Sequence, residues 1–166
     1  MIVVSNASPL ISLSRIGRLE LLRQVFTEII IPSEVFQEVV IDGAGRPAAA
    51  AVGTAGWITK KPCVETAKLA ALRNQFPQLG AGETATVQLA HELRADLAII
   101  DERAARRLAV GLGLKVIGSI GVLEAAFRRG LIADLRSDYQ QLLATGTRID
   151  PAILNRSLAQ FGLPLL

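Results

Sequence analysis

Cysteine, histidine and aromatic residues are all scarce in this chain. Of its 166 residues one is cysteine and one is histidine, and aromatics make up 4%. A lone Cys63 can form neither an intrachain disulfide nor a cysteine-based metal site, which fits a reducing cytoplasm. It reads instead as a small buried or half-buried hydrophobe. With so few rings in a chain that is 51% hydrophobic, the core must be aliphatic, as in an α/β protein with a buried parallel sheet. No apolar run approaches the roughly 20 residues of a membrane span. Residues 1–16 lack a basic stretch and are interrupted by Ser5, Asn6, Ser8 and Pro9, which argues against a signal peptide. The stretch "GAGR" lacks the Lys-Ser/Thr end of a phosphate-binding loop. No internal repeat is present, and the length suits one domain.

What is present is a mild excess of basic charge, 18 Lys and Arg against 15 Asp and Glu. Fourteen of the 18 are Arg, whose planar head binds phosphate bidentately. A net +3 favours a polyanionic partner without demanding one.

Four short runs read as buried strands: "MIVVS" (1–5), "EIIIP" (28–32), "LAII" (97–100) and "KVIG" (115–118). Helical patterns lie between them, so the order predicts a mainly parallel sheet. The first helix is expected from Ser8-Pro9 to Gly17, and a second is spaced by Leu19, Leu22 and Phe26. Further helices are predicted over 33–41, 81–95 and 102–112, and another from Ile120 to Gly130. Two more follow, the last opening at Asp150-Pro151. Residues 42–62 are the least regular and read as a loop with a short helix.

In an open parallel sheet, ligands bind beyond the carboxyl ends of the strands. Asn6 follows the first predicted strand, Asp101 the third, and Gly118-Ser119 the fourth, so all should face one side. Glu38 lies at the border of the apolar stripe of its helix, and Glu83 in the first turn of the helix opened by "GAGE". Each acid alone has an ordinary explanation as a cap, a first-turn acid or a solvated charge. Together, carboxylates crowded at one sheet edge repel one another and call for a cation. Oxygen ligands without His or Cys suit Mg²⁺ or Mn²⁺, and such an ion can polarise a phosphodiester and activate water.

At this point the sequence resembles PIN-domain proteins, the fold of many small bacterial and archaeal toxin ribonucleases of the VapC type. The resemblance rests on "VVSNASPLI", "IPSEVFQEV", "GAGETATVQLA" and "LAIIDERAARRLAVGLGLKVIGSIGVLEAA", and runs from Met1 to about Leu131. More narrowly the chain is similar to a PIN-like branch designated a domain of unknown function. The resemblance implies a three-layer α/β/α sandwich with a central, mainly parallel sheet. It implies a single domain over 1–166, with a core over 1–131 and C-terminal helices over 132–166. It also implies Mg²⁺- or Mn²⁺-dependent cleavage of RNA, a homodimer and a small antitoxin partner. Carried over by position, Glu38, Glu83 and Asp101 take three acidic places of a catalytic, metal-binding set. Asn6 takes the first, and Ser8 the place of the small hydroxyl residue two positions later.

Asn6 departs from the Asp usual at that place. A neutral amide can ligate a metal through its oxygen or orient water, but it removes one negative charge. Glu34, one turn before Glu38 on the same helix face, and Glu102 are the acids that could supply the missing charge. Glu34 reads equally as a first-turn acid. Arg103 and Arg107, four apart, share a helix face that could track RNA phosphates, pair with acids or be merely solvated. Ser119 could donate to a phosphate or cap its helix. His91 reads as an exposed surface residue. Two readings of function follow: a metal-dependent endoribonuclease, or a PIN scaffold that binds RNA or protein and hydrolyses little. A receiver-like phosphotransfer domain is disfavoured, because it too needs an acid where Asn6 stands.

Overall fold

β-branched runs separated by helical segments should pair side by side, and they do. A computed structural model describes residues 1–166. Its single sheet has five strands, β1 Val3–Ser5, β2 Ile29–Pro32, β3 Ile58–Lys61, β4 Leu97–Ile99 and β5 Val116–Ile117. The order is β3-β2-β1-β4-β5 and every pairing is parallel. The chain therefore winds outward from β1 to one edge, returns to the other side of β1 and winds out again. Connections leave β1 and β4 in opposite directions, and the crevice between them is the position where such sheets bind ligands.

Ten helices cover the sheet. They are α1 Ala7–Arg15, α2 Glu20–Phe26, α3 Ser33–Phe36, α4 Pro47–Gly53, α5 Thr66–Gln75, α6 Ala81–Glu92, α7 Arg103–Gly111, α8 Ser119–Arg128, α9 Leu135–Ala144 and α10 Pro151–Gln160. Side chains alternate across the strands, as the pleat requires. Val3, Ile29, Ile31 and Ile99 join one apolar cluster, which includes Leu10 and Leu13 of α1, Leu123 of α8, Tyr139 of α9 and Leu154 of α10. Val4, Ala98 and Ile100 join another on the opposite face, with Leu69 of α5, Val87 and Leu89 of α6 and Ala105 of α7. These are the three layers of an α/β/α sandwich. No helix is long and apolar enough to cross a membrane.

The structure departs from the sequence expectations in three places. The irregular stretch 42–62 holds the expected short helix, α4, but ends in a fifth strand, β3, paired to β2 with Ile29 opposite Ile58. Helix α5 was not expected from the sequence. The helix predicted over 33–41 is regular only to Phe36 and then widens into a π-helical turn over Gln37–Asp42. Such widening occurs often at functional sites, and here it carries Glu38.

Cys63 is buried, and its thiol donates to the Ala85 carbonyl at 3.4 Å. Burial, reinforced by Glu34 and Glu92, pushes that thiol up to about 12, so at neutral pH it remains an unreactive S–H. In the C-terminal helices the buried Tyr139 hydroxyl lies 2.6 Å from Ser157 Oγ, which in turn donates to Glu124 on α8 at 2.6 Å. Removing the phenolic hydroxyl with Tyr139→Phe is expected to cost about 1 kcal/mol, read from the midpoint of urea unfolding.

Candidate metal centre

The first pocket at the sheet's carboxyl edge is built from four segments. Asn6 comes from the end of β1, Glu38 from the widened turn, Glu83 from the first turn of α6 and Glu102 from the residue before α7. The cavity is about 600 Å³. Five carboxylates line it, those of Glu34, Glu38, Asp42, Glu83 and Glu102, and no Lys, Arg or His does. Of the five only Glu34 has an ion-pair partner, Arg73 of α5 at 3.0 Å.

Local structure explains each placement. Gly80 precedes α6 and has no side chain to cap it, and Glu83 reaches back to the Gly80 N–H at 3.3 Å. A first-turn acid also suits the positive end of the helix. Gly82 lets the two acidic helices approach, since a Cβ there would stand 3.0 Å from Glu38 Oε2. Asn6 is buried, and its amide group donates to Glu102 Oε2 at 2.9 Å while its oxygen accepts from Thr86 Oγ1 at 3.4 Å. Ser8 Oγ donates to the other oxygen of Glu102.

Crowding acts on these acids as expected. Burial pushes the Glu38 carboxyl above its usual value, and the charges of Glu102, Glu83 and Asp42 add to the effect. Burial likewise raises Glu83, against the Gly80 hydrogen bond, with Glu102 contributing again.

Asp101 is placed differently. Its carboxylate turns onto the start of α8, accepting from the Ser119 N–H at 2.7 Å and from Ser119 Oγ at 2.6 Å. It thereby caps a helix whose own N-cap residue is Gly118. Burial raises its pKa, the two Ser119 bonds oppose that rise, and Glu102 again raises it. A Cβ on Gly118 would lie 2.6 Å from Asp101 Oδ1 and 3.1 Å from Arg106 Nη1. Gly118→Ala is therefore expected to cost about 1–3 kcal/mol through overpacking, seen as a lower thermal midpoint.

Asp101 lines a second groove, of about 1320 Å³, which meets the acidic pocket at Ser8 and Glu102. Arg15, Arg103, Arg106, Arg107 and Arg148 line this groove. None of the five forms an ion pair, and Arg106 donates to the Ile100 carbonyl at 2.8 Å. The structure thus brings Asn6, Glu38 and Glu83 to one pocket and places Asp101, Arg103 and Arg107 beside it. Ser119 and Ser8 are engaged by Asp101 and Glu102 respectively, and His91 is exposed on α6.

A family model described as a PIN domain matches residues 2–163. The chain belongs to the PIN-domain family. PIN domains are generally nucleases and usually bind divalent metals. The match extends past Leu131 to include α9 and α10, which were outside the motifs that carried the resemblance. No curated protein sequence matches the chain. The donor chemistry of the PIN pocket fits a hard cation, since every candidate ligand is an oxygen. No three of its acids stand close enough together to chelate one ion directly.

Proposed function

We propose that this PIN domain is a Mg²⁺- or Mn²⁺-dependent endoribonuclease, the toxin half of a toxin–antitoxin pair. The observation that carries the nuclease reading is a strand-end pocket lined by five carboxylates and no base. A cation bound there would polarise the scissile phosphodiester and activate water. Glu38 and Glu83 would hold the cation, whose charge would relieve their mutual repulsion. Asn6, neutral and buried, adds an amide oxygen without further charge. Asp101 fixes the start of α8 and so the wall of the adjoining groove. Arg103 and Arg107, with Arg15 and Arg148, position the sugar–phosphate backbone as it passes from the groove to the acids. The toxin role, with an antitoxin partner and a homodimer, is supported by the family resemblance alone.

The test is degradation of a mixed RNA pool by purified protein with Mn²⁺ or with EDTA, beside Glu38→Gln and Glu83→Gln. Cleavage should need the metal and fall about 100-fold or more in each variant, the scale of losing one charge-stabilising group. Equal cleavage by all three proteins would place the chemistry elsewhere. RNA binding without cleavage would favour the non-hydrolysing scaffold.

A further inference from the structure

The resemblance leaves an acid missing at the end of β1, and the structure shows what faces the vacant charge. β1 and β4 are neighbours in register, Ser5 opposite Ile99, and the Asn6 N–H donates to the Ile99 carbonyl at 3.0 Å. The two strands therefore end side by side, and Glu102 returns over the end of β1. Its two carboxylate oxygens accept from the Asn6 amide and the Ser8 hydroxyl, one each.

The Asn6 side chain has a fixed sense. Its NH₂ meets a carboxylate, which can only accept, and its oxygen faces the Thr86 hydroxyl. Thr86 is itself tied to the Gly82 carbonyl at 2.7 Å, so the orientation is held from α6. A carboxylate at position 6 would set two acceptors about 3 Å apart with no donor between them and like charges face to face.

We propose that Glu102 is a metal-facing carboxylate of this pocket, carrying at the end of β4 the charge absent from the end of β1, with Asn6 and Ser8 as the positioning residues that hold it. The proposal rests on the metal-dependent reading above. It differs from the carry-over by position, which puts the acid after β4 at Asp101. Both acids accept hydrogen bonds on both oxygens, and what separates them is place: Asp101 lines only the neighbouring groove, whereas Glu102 lines that groove and the acidic pocket.

A charge-exchange cycle tests it: Asn6→Asp, Glu102→Gln and the double variant, each melted in EDTA at neutral pH and titrated with Mn²⁺ by calorimetry. Glu102→Gln should weaken Mn²⁺ binding by about 10-fold or more. Asn6→Asp should lower the metal-free midpoint by about 2–4 °C, as for a loss near 1 kcal/mol in a chain of this size. The double variant restores both the charge count and the hydrogen bond, with donor and acceptor exchanged. It should therefore recover the midpoint and bind Mn²⁺ more tightly than Glu102→Gln. Ser8→Ala should weaken Mn²⁺ binding, and Ser8→Thr should retain it. If Glu38→Gln and Glu83→Gln weaken binding while Glu102→Gln does not, the assignment of Glu102 is overturned and the nuclease reading stands. If the parent protein binds no Mn²⁺ and cleaves no RNA, both are overturned. A double variant no better than Glu102→Gln also overturns the exchange.

Discussion

Arg18→Ala is expected to lower the unfolding free energy by about 3 kcal/mol, the low end of the range for breaking a buried ion pair. Arg18 follows Gly17 at the end of α1, and its Nε lies 3.1–3.2 Å from both carboxylate oxygens of Asp138 on α9. Its Nη2 adds a further bond of 3.1 Å. The side chain of Asp138 is 1% exposed and that of Arg18 37%. Truncating Arg18 therefore leaves a buried charge with its partner gone, while water at the Arg18 end limits the loss. The pair joins positions 120 residues apart and ties the C-terminal helices to the start of the fold. Urea unfolding should show a lower midpoint with an unchanged slope. Arg18→Lys, which offers a point charge in place of a fork, should lose part of that stability. A change under about 0.5 kcal/mol in Arg18→Ala, the ordinary size of a surface substitution, would remove this pair from the account of stability.

The metal-free protein should lose stability as the pH rises through the raised pKa values of Glu38, Glu83 and Asp101, and a divalent cation should restore it. All three acids are pushed upward by burial as the largest cause. Between the ordinary carboxyl value and the raised one, the folded state holds more protons than the unfolded state. Stability then falls as pH increases. The favourable contribution is complete below the ordinary values and is gone above the raised ones. Glu92 acts in the opposite sense, since bonds from Val64, Gln88 and Glu65 hold it below its usual value against the opposing effect of burial. The informative quantity is therefore the difference between the parent and Glu38→Gln or Glu83→Gln. Mn²⁺ at about 100 times its dissociation constant adds about 2.7 kcal/mol, which raises the midpoint by about 5–10 °C. Calorimetric scans at pH 4.5 and pH 7, with EDTA or with Mn²⁺, read both effects. Identical pH slopes in parent and variants would show that these acids do not set the dependence.

The parts of the molecule that were legible in the sequence are those whose burial leaves a one-dimensional pattern. β1, β2 and β4 are apolar runs because both faces of the central sheet are covered, and β5, at the far edge, keeps two half-buried apolar residues. β3, at one edge of the sheet, reads "ITKK" because its end is exposed, with Lys60 and Lys61 at the surface and the Lys60 ammonium 4.5 Å from the centre of the Phe36 ring. Helix α5 buries only Leu69 and so shows no apolar stripe. The widened turn at Gln37–Asp42 is a change in hydrogen bonding that residue types do not encode. Asn6 was legible from its place at a strand end, Glu83 from the first turn of its helix and Glu38 from the border of an apolar stripe, and the family resemblance gathered the three. The choice between Asp101 and Glu102 was not legible. Adjacent residues after a strand point to different sides, and which acid enters the pocket is decided by Ser119 on one side and by Asn6 and Ser8 on the other.

The pairing of Asn6 with Glu102 spans 96 positions of the chain, and this imposes an order in time. A growing polypeptide has no complete acidic pocket until β4 has been synthesised and has settled beside β1. At about 5–20 residues per second, a nascent chain spends roughly 5–20 seconds carrying isolated acids that no fold has yet gathered. The pocket is thus assembled only after β4 has joined β1, well after the strand that supplies its first residue has left the ribosome.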